Sequence, residues 1–243
     1  MTPKAPTAAE RFAAAWCALE AELDWSALGR AHCHEGGDDF FAPELRVEIF
    51  DTGLLFADDL AARLEPGGRS LYVGASVAEL PVILCEVLVL EREVSWHDLP
   101  GPITAELNRA LAAVADRLRA PLPSISTAGL DAVEPGTCNH LWLVSVLTDP
   151  DCFPALHDAL YERTGELATG RGDPAAERAR AAALIEQTLD HLRLPATLTT
   201  TEEELRFFAE AVSARGWQLE VPTNARLSAV VGDGVRIGSV ERR

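Results

Sequence analysis

The stretch Ser70-Leu71-Tyr72-Val73-Gly74-Ala75-Ser76-Val77-Ala78-Glu79 decides the fold class. Ser70 to Val73 is a short apolar run that breaks at Gly74, as strands buried on both faces do. Val77 to Leu90 then reads as a helix, with Pro81 tolerated because it lies near the start. Glu93-Val94-Ser95-Trp96-His97 supplies the next strand, so the stretch opens a strand–helix–strand unit.

The alternation continues toward the C-terminus. Ile103 to Leu118 has Leu107, Leu111, Val114 and Leu118 at helical spacing. Pro123 to Thr127 is a strand candidate. His140 to Leu147 is the clearest strand of the chain, aromatic and β-branched and stopped by Asp149-Pro150. Phe153 to Arg163 and Pro174 to Leu192 read as helices, the second with proline at its first position. Thr197 to Thr199 is a short strand, and Thr201 with Glu204 forms a capping box for a helix closed by Gly216. The tail is β: Trp217 to Val221, Leu227 to Val231 and Val235 to Val240, with Asp233-Gly234 as a hairpin turn. Upstream lie a helix near residues 8–23, a polar stretch from Gly29 to Asp39, and a helix opened by Thr52-Gly53 and ended by Pro66-Gly67-Gly68.

Alternating strands and helices require a parallel sheet covered on both faces, and right-handed crossovers make it doubly wound. The expectation is an α/β protein with a seven-stranded, mostly parallel sheet, a C-terminal antiparallel hairpin and an N-terminal helical cap. Residues 1–50 form the cap and 51–243 the Rossmann-like domain.

Composition narrows the partners. A net charge of −17 repels phosphate backbones, and no cluster of Lys and Arg offers a nucleic-acid footprint, so nucleic acid and anionic membranes are not expected. The longest apolar stretch, Leu80 to Leu90, is too short to span a bilayer. Met1 to Glu10 lacks the apolar run of a secretory signal. Five cysteines without a CxxC pair argue against both a disulfide framework and a thiolate zinc site, which fits a reducing cytoplasm. Nothing in the sequence fixes an oligomeric state.

The terminal hairpin and the loop after the first sheet strand make the chain resemble a class I S-adenosylmethionine-dependent methyltransferase over about Asp51 to Glu241. Ser70 to Glu79 resembles that family's first motif, in which glycines let the backbone approach the ligand and the turn aims helix amides at it. The resemblance implies S-adenosylmethionine as cofactor and a small molecule or a protein as methyl acceptor. It implies cofactor contacts at Gly74, Ala75 and Ser76, at Asp98 after the second strand, at Asp131 near the adenine, and at Ser145 toward the end of the fourth strand. Asp149 lies where the family's substrate chemistry occurs. The chain departs from the pattern in two ways. Of three glycines only Gly74 is present, with Ser76 and Ala78 at the other two places, and Tyr72 stands where the family has an acid.

Each site residue also has a structural reading: Asp98 and Asp131 as solvated loop acids, Asp149 as ordinary Asp-Pro turn chemistry. A protein that keeps the fold but has lost catalysis, serving as a binding or scaffolding partner, is one alternative. A metal-dependent enzyme using His32, His34, Asp38 and Asp39 is another, since imidazole and carboxylate suit a divalent ion, although the strong metal spacings are absent. Cys138-Asn139-His140 is read as structural, because neighbours on a strand alternate faces.

Overall fold

A computed structural model describes residues 5–33 and 37–243, which fall into two compact units. The first comprises Met1–Ser70 and Ala75–Gly129; the second comprises Leu71–Gly74 and Leu130–Arg243.

The first unit begins with α1 (Ala8–Glu22), started by a Thr7/Glu10 capping box, and α2 (Trp25–His32), whose N-terminus Asp24 caps. α3 spans Pro43–Ala61, so the expected start at Thr52-Gly53 is wrong. Pro43 takes the first turn, and Gly53 lies mid-helix because a Cβ there would come within 2.7 Å of Pro81. That glycine serves close helix packing and marks no boundary. It also means that residue 50, the expected edge of the cap, falls inside a helix. β1 (Arg69–Val73), whose residues from Leu71 on count with the second unit, leads through a 3-10 turn at Val77–Glu79 into α4 (Leu80–Leu88). β2 (Glu93–His97), α5 (Pro102–Leu118) and β3 (Ile125–Ser126) follow, and β3 runs parallel to β2. α5 buries Leu107, Leu111 and Val114, as its spacing requires. Arg92 and Glu86 form a buried ion pair that Ser70 joins, and the guanidinium also donates to the carbonyls of Glu65 and Arg69. Both charges of this pair are bonded, as burial demands.

The second unit holds β4 (Cys138–Leu143), α6 (Pro154–Leu160), α7 (Pro174–Asp190), β5 (Leu192–Thr201), α8 (Glu202–Ala214), β6 (Trp217–Glu220), β7 (Arg226–Leu227) and β8 (Gly234–Arg242). β4 and β5 are parallel; β8 runs antiparallel to β5 on one side and to β6 on the other. Leu71, Leu141, Leu143, Ile185, Leu189, Leu198 and Phe208 make the core. Tyr72 is wholly buried and stacks on Trp142 with ring centroids 5.5 Å apart.

The strand order is β3-β2-β1-β4-β5-β8-β6, with β7 paired to β8. The order reverses at β1 and β4, which is the doubly wound pattern. The sheet has eight strands and not seven, the extra one being the two-residue β7. Asp233-Gly234 is not a two-residue turn either. Leu227 pairs with Gly234, and the residues between close a longer loop in which the Ser228 amide donates to the Asp233 carbonyl at 2.9 Å. The main antiparallel partners of β8 are β5 and β6. Among the described residues no helix is long and apolar enough to cross a membrane.

Candidate functional site

In open α/β sheets, ligands bind beyond the carboxyl ends of the strands, where the strand order reverses. The chain leaves β1 through Gly74, whose φ of +69° favours glycine and whose Cβ, if present, would lie 2.5 Å from Val146 Cγ2. Ala75 is buried, and its carbonyl accepts the Trp96 indole N–H at 2.9 Å. Ser76 then opens the turn into α4, its amide donating to Glu79 Oε2 at 2.8 Å. The Ser76 hydroxyl oxygen is buried and has no hydrogen-bond partner among the described residues.

Asp98 ends β2. Its carboxylate accepts the Leu99 amide at 2.7 Å and the Thr104 hydroxyl at 3.3 Å, while its own amide joins the Ser126 carbonyl at 3.1 Å. Burial pushes the Glu79 carboxyl up to about 7, and the negative charge of Asp98 adds to the rise against the bond from Ser76. The first unit thus brings Ala75, Ser76 and Asp98 into its strand-end segments, with Glu79 as a further carboxyl. Such a group of acceptors suits a ligand rich in hydroxyl or ammonium donors.

In the second unit, Ser145 lies two residues beyond the end of β4 in a left-handed conformation (φ 59°). The expected strand to Leu147 therefore ends early, at Leu143. The Ser145 hydroxyl donates to Asp233 Oδ2 at 2.7 Å, and Tyr161 donates to Asp233 Oδ1 at 2.6 Å. The amides of Ser145 and Leu147 donate to Glu204 Oε2 and Oε1 at 3.2 and 2.8 Å. Glu204 also accepts from the Thr200 hydroxyl and from both the amide and the hydroxyl of Thr201. Burial pushes the Glu204 carboxyl up to about 7 in spite of those bonds. Burial, then the bond to Asp233, raises the Tyr161 phenol above its ordinary range.

The remaining candidates are accounted for locally. The Asp149 carboxylate accepts the amides of Asp151 and Cys152 at 2.7 and 3.0 Å, which is turn chemistry. Asp131 is exposed and accepts from Gln187 near the end of α7, while the neighbouring Gly136 and Cys138 amides bond to Asp190 and His191 just before β5. Asp131 therefore sits at the amino ends of β4 and β5, opposite the ends where Ser145 and Thr201 lie, and leaves the candidate site. Tyr72 belongs to the core, so Tyr72→Asp would bury an unpaired charge and lower stability instead of simply restoring an acid to a ligand. His140 is buried and bonds Thr199 at 3.1 Å, consistent with a structural role.

Of the metal candidates, His32 packs against Phe40 and Phe41 at 5.1 and 5.5 Å, and Asp38 pairs with Arg30 at 2.6 Å. His34 lies outside the described residues. Among those described, no group of three or more His, Cys, Asp or Glu side chains is placed to hold an ion.

The sequence alone assigned no site role to Glu79, Tyr161 or Asp233, and Glu204 read only as a helix cap. Both glutamates stand last in a Ser/Thr-x-x-Glu pattern and accept the amide of its first residue, so the local signal was present at Ser76/Glu79 as well as at Thr201/Glu204. What the pattern hides is that burial shifts each carboxyl.

No family model and no curated protein matches the sequence. Among solved structures, the chain is similar to a SAM-dependent methyltransferase from Aquifex aeolicus, with 11% identity, 80% of this chain and 92% of that one covered, and a TM-score of 0.48. It is similar to a SAM-dependent O-methyltransferase from Thermotoga maritima at 11% identity, 79% and 65% coverage and a TM-score of 0.48. A Pyrococcus horikoshii protein assigned as a transferase gives 10% identity, 79% of this chain and a TM-score of 0.47, and the chain spans only 64% of its length. Likenesses at this level carry no argument about activity, and the fold stands on the sheet itself.

Proposed function

We propose that the chain binds S-adenosylmethionine and transfers its methyl group to a small molecule or a protein. The observation that carries this reading is the sheet: a reversal of strand order at β1 and β4, a glycine turn leaving β1, and the antiparallel β8 inserted between β5 and β6. The terminal antiparallel element and the glycine turn are the features on which the sequence resemblance rests. The residues present fit such a cofactor. The Ser76 hydroxyl, without a partner among the described residues, offers a bond to a ligand, Ala75 is small enough for close approach, and Asp98 is a carboxylate acceptor at a strand end.

When bound, the sulfonium supplies an activated methyl group, whose carbon–sulfur bond breaks as the bond to the acceptor forms. Chemistry of that kind rests mostly on positioning. A cytoplasmic setting and an acceptor that is not a polyanion belong to the same proposal, the latter because the net charge is −17.

One observation favours a second reading, in which the fold binds a ligand without catalysing transfer. Ser145 and Asp149, the candidates nearest the expected chemistry, are held in bonds to Asp233 and to the local turn. Calorimetric titration with S-adenosylmethionine and its demethylated product tests the proposal. Saturable binding of both is expected, and absence of binding rejects it. Methyl release from labelled cofactor in the presence of acceptor mixtures separates the enzyme from the silent binder.

A further inference from the structure

We propose that Glu204 and Asp233 are positioning residues that hold Ser145–Leu147, beyond the end of β4, in the conformation competent to bind ligand there. The ligand half of this inference rests on the proposed function; the holding itself does not.

The geometry is a clamp of two carboxylates from different elements. Glu204 comes from the first turn of α8, and Asp233 from the loop before β8. Glu204 takes the backbone amides on either side of Val146, one on each oxygen, and Asp233 takes the Ser145 hydroxyl. Ser145 is held left-handed, a conformation a non-glycine residue adopts at a cost and keeps only where its surroundings impose it. Val146, fixed between the two bonded amides, lies against Gly74, so the clamp reaches the glycine turn leaving β1. The whole arrangement belongs to the second unit.

Glu204 accepts five donors, which suits the anion; a neutral acid loses acceptor capacity and gains a donor with nowhere to go. Its carboxyl is pushed up to about 7, so the clamp changes state in the neutral range. The charged and titratable groups around this end are Asp233, which bonds Ser145; Tyr161, which bonds Asp233; Glu203, whose charge reaches Tyr161; and His157, which bonds the Thr148 carbonyl and packs on Tyr161. Protonation of Glu204 therefore loosens the segment, and rising pH tightens it.

The test is amide hydrogen exchange of Ser145 and Leu147 from pH 6 to 8, corrected for intrinsic rates, in wild type, Glu204→Gln and Asp233→Asn. Titration with S-adenosylhomocysteine on the same proteins reads the ligand. Protection of both amides rises with pH in wild type. In E204Q it falls about tenfold and loses its pH dependence, and ligand affinity follows the same profile. In D233N the loss is smaller and centred on Ser145. Unchanged protection in folded E204Q and D233N overturns the holding role, and D233N alone decides it if E204Q does not fold. Altered protection with an unchanged affinity profile overturns the ligand half. If wild type binds no S-adenosylhomocysteine, the ligand half and the proposed function both fail, while exchange still decides the clamp.

Discussion

Two loops that leave parallel strands in this chain are finished in opposite ways. In the second unit, the segment after β4 is saturated: five donors converge on Glu204, and the Ser145 hydroxyl has Asp233. In the first, Ser76 keeps a buried hydroxyl oxygen with no partner among the described residues, next to a Glu79 that is held by the Ser76 amide. Buried polar groups are ordinarily bonded, so a saturated group reads as framework and an orphaned one as a place reserved for a ligand. On that contrast, cutting a residue of the first kind costs stability first and reaches binding only through the order of the segment it holds, whereas cutting one of the second kind costs binding with little loss of stability.

The contrast is sharpest where the saturated side is cut. Glu204→Ala leaves buried amides and hydroxyls without an acceptor, and a loss of about 3–4 kcal/mol in chemical denaturation is expected. A loss under 1 kcal/mol would show that the bonds are replaceable and would end the distinction. Next in size is Gly74→Ala, where the left-handed backbone and the contact with Val146 combine to about 2–3 kcal/mol. Adding Val146→Ala should recover the contact portion and leave the backbone portion.

Stability against pH is a third reading of the same contrast. Between pH 4.5 and 7 the folded chain keeps a proton on Glu204 that the unfolded chain has released. Folded stability therefore falls as pH rises through that window, by about 2–3 kcal/mol for this group, with Glu79 contributing in the same direction. Melting curves of wild type should slope more steeply with pH than those of Glu204→Gln, and equal slopes would contradict the shift. Global stability and order in the Ser145 segment thus move oppositely with pH. The smallest effect belongs to the orphaned side. Ser76→Ala removes a hydroxyl oxygen with no partner among the described residues, so stability should stay within about 0.5 kcal/mol of wild type while ligand affinity drops several-fold.

Much of the frame was legible because it is written locally. β2 matches its reading to the residue, and α1, α5 and α8 follow their apolar spacing and caps. The errors come from contacts distant in sequence. Gly53 resembles a helix boundary until Pro81 is seen against it. β4 stops at Leu143 because Ser145 is turned and pinned by residues far along the chain. β5 runs from Leu192 to Thr201, longer than its threonine-rich end alone announces, because β4 and β8 pair along it. The loop Gly74–Ser76 and Asp98 could be picked out as strand ends, whereas sequence does not tell which end of the sheet the Asp131 loop occupies. The burial that shifts Glu79 and Glu204 is invisible in a capping-box pattern.

The central claim, that ligand binds at the strand-end segments of the first unit that carry Ser76 and Asp98, is tested most directly by a ligand footprint. Hydrogen exchange would be compared across the whole chain with and without S-adenosylhomocysteine. Added protection is expected in Ala75–Glu79 and in the residues from Asp98 to Thr104. Protection confined to other segments, such as the groove lined by Leu205, Val212, Trp217 and Leu219, or no protection anywhere, would contradict it.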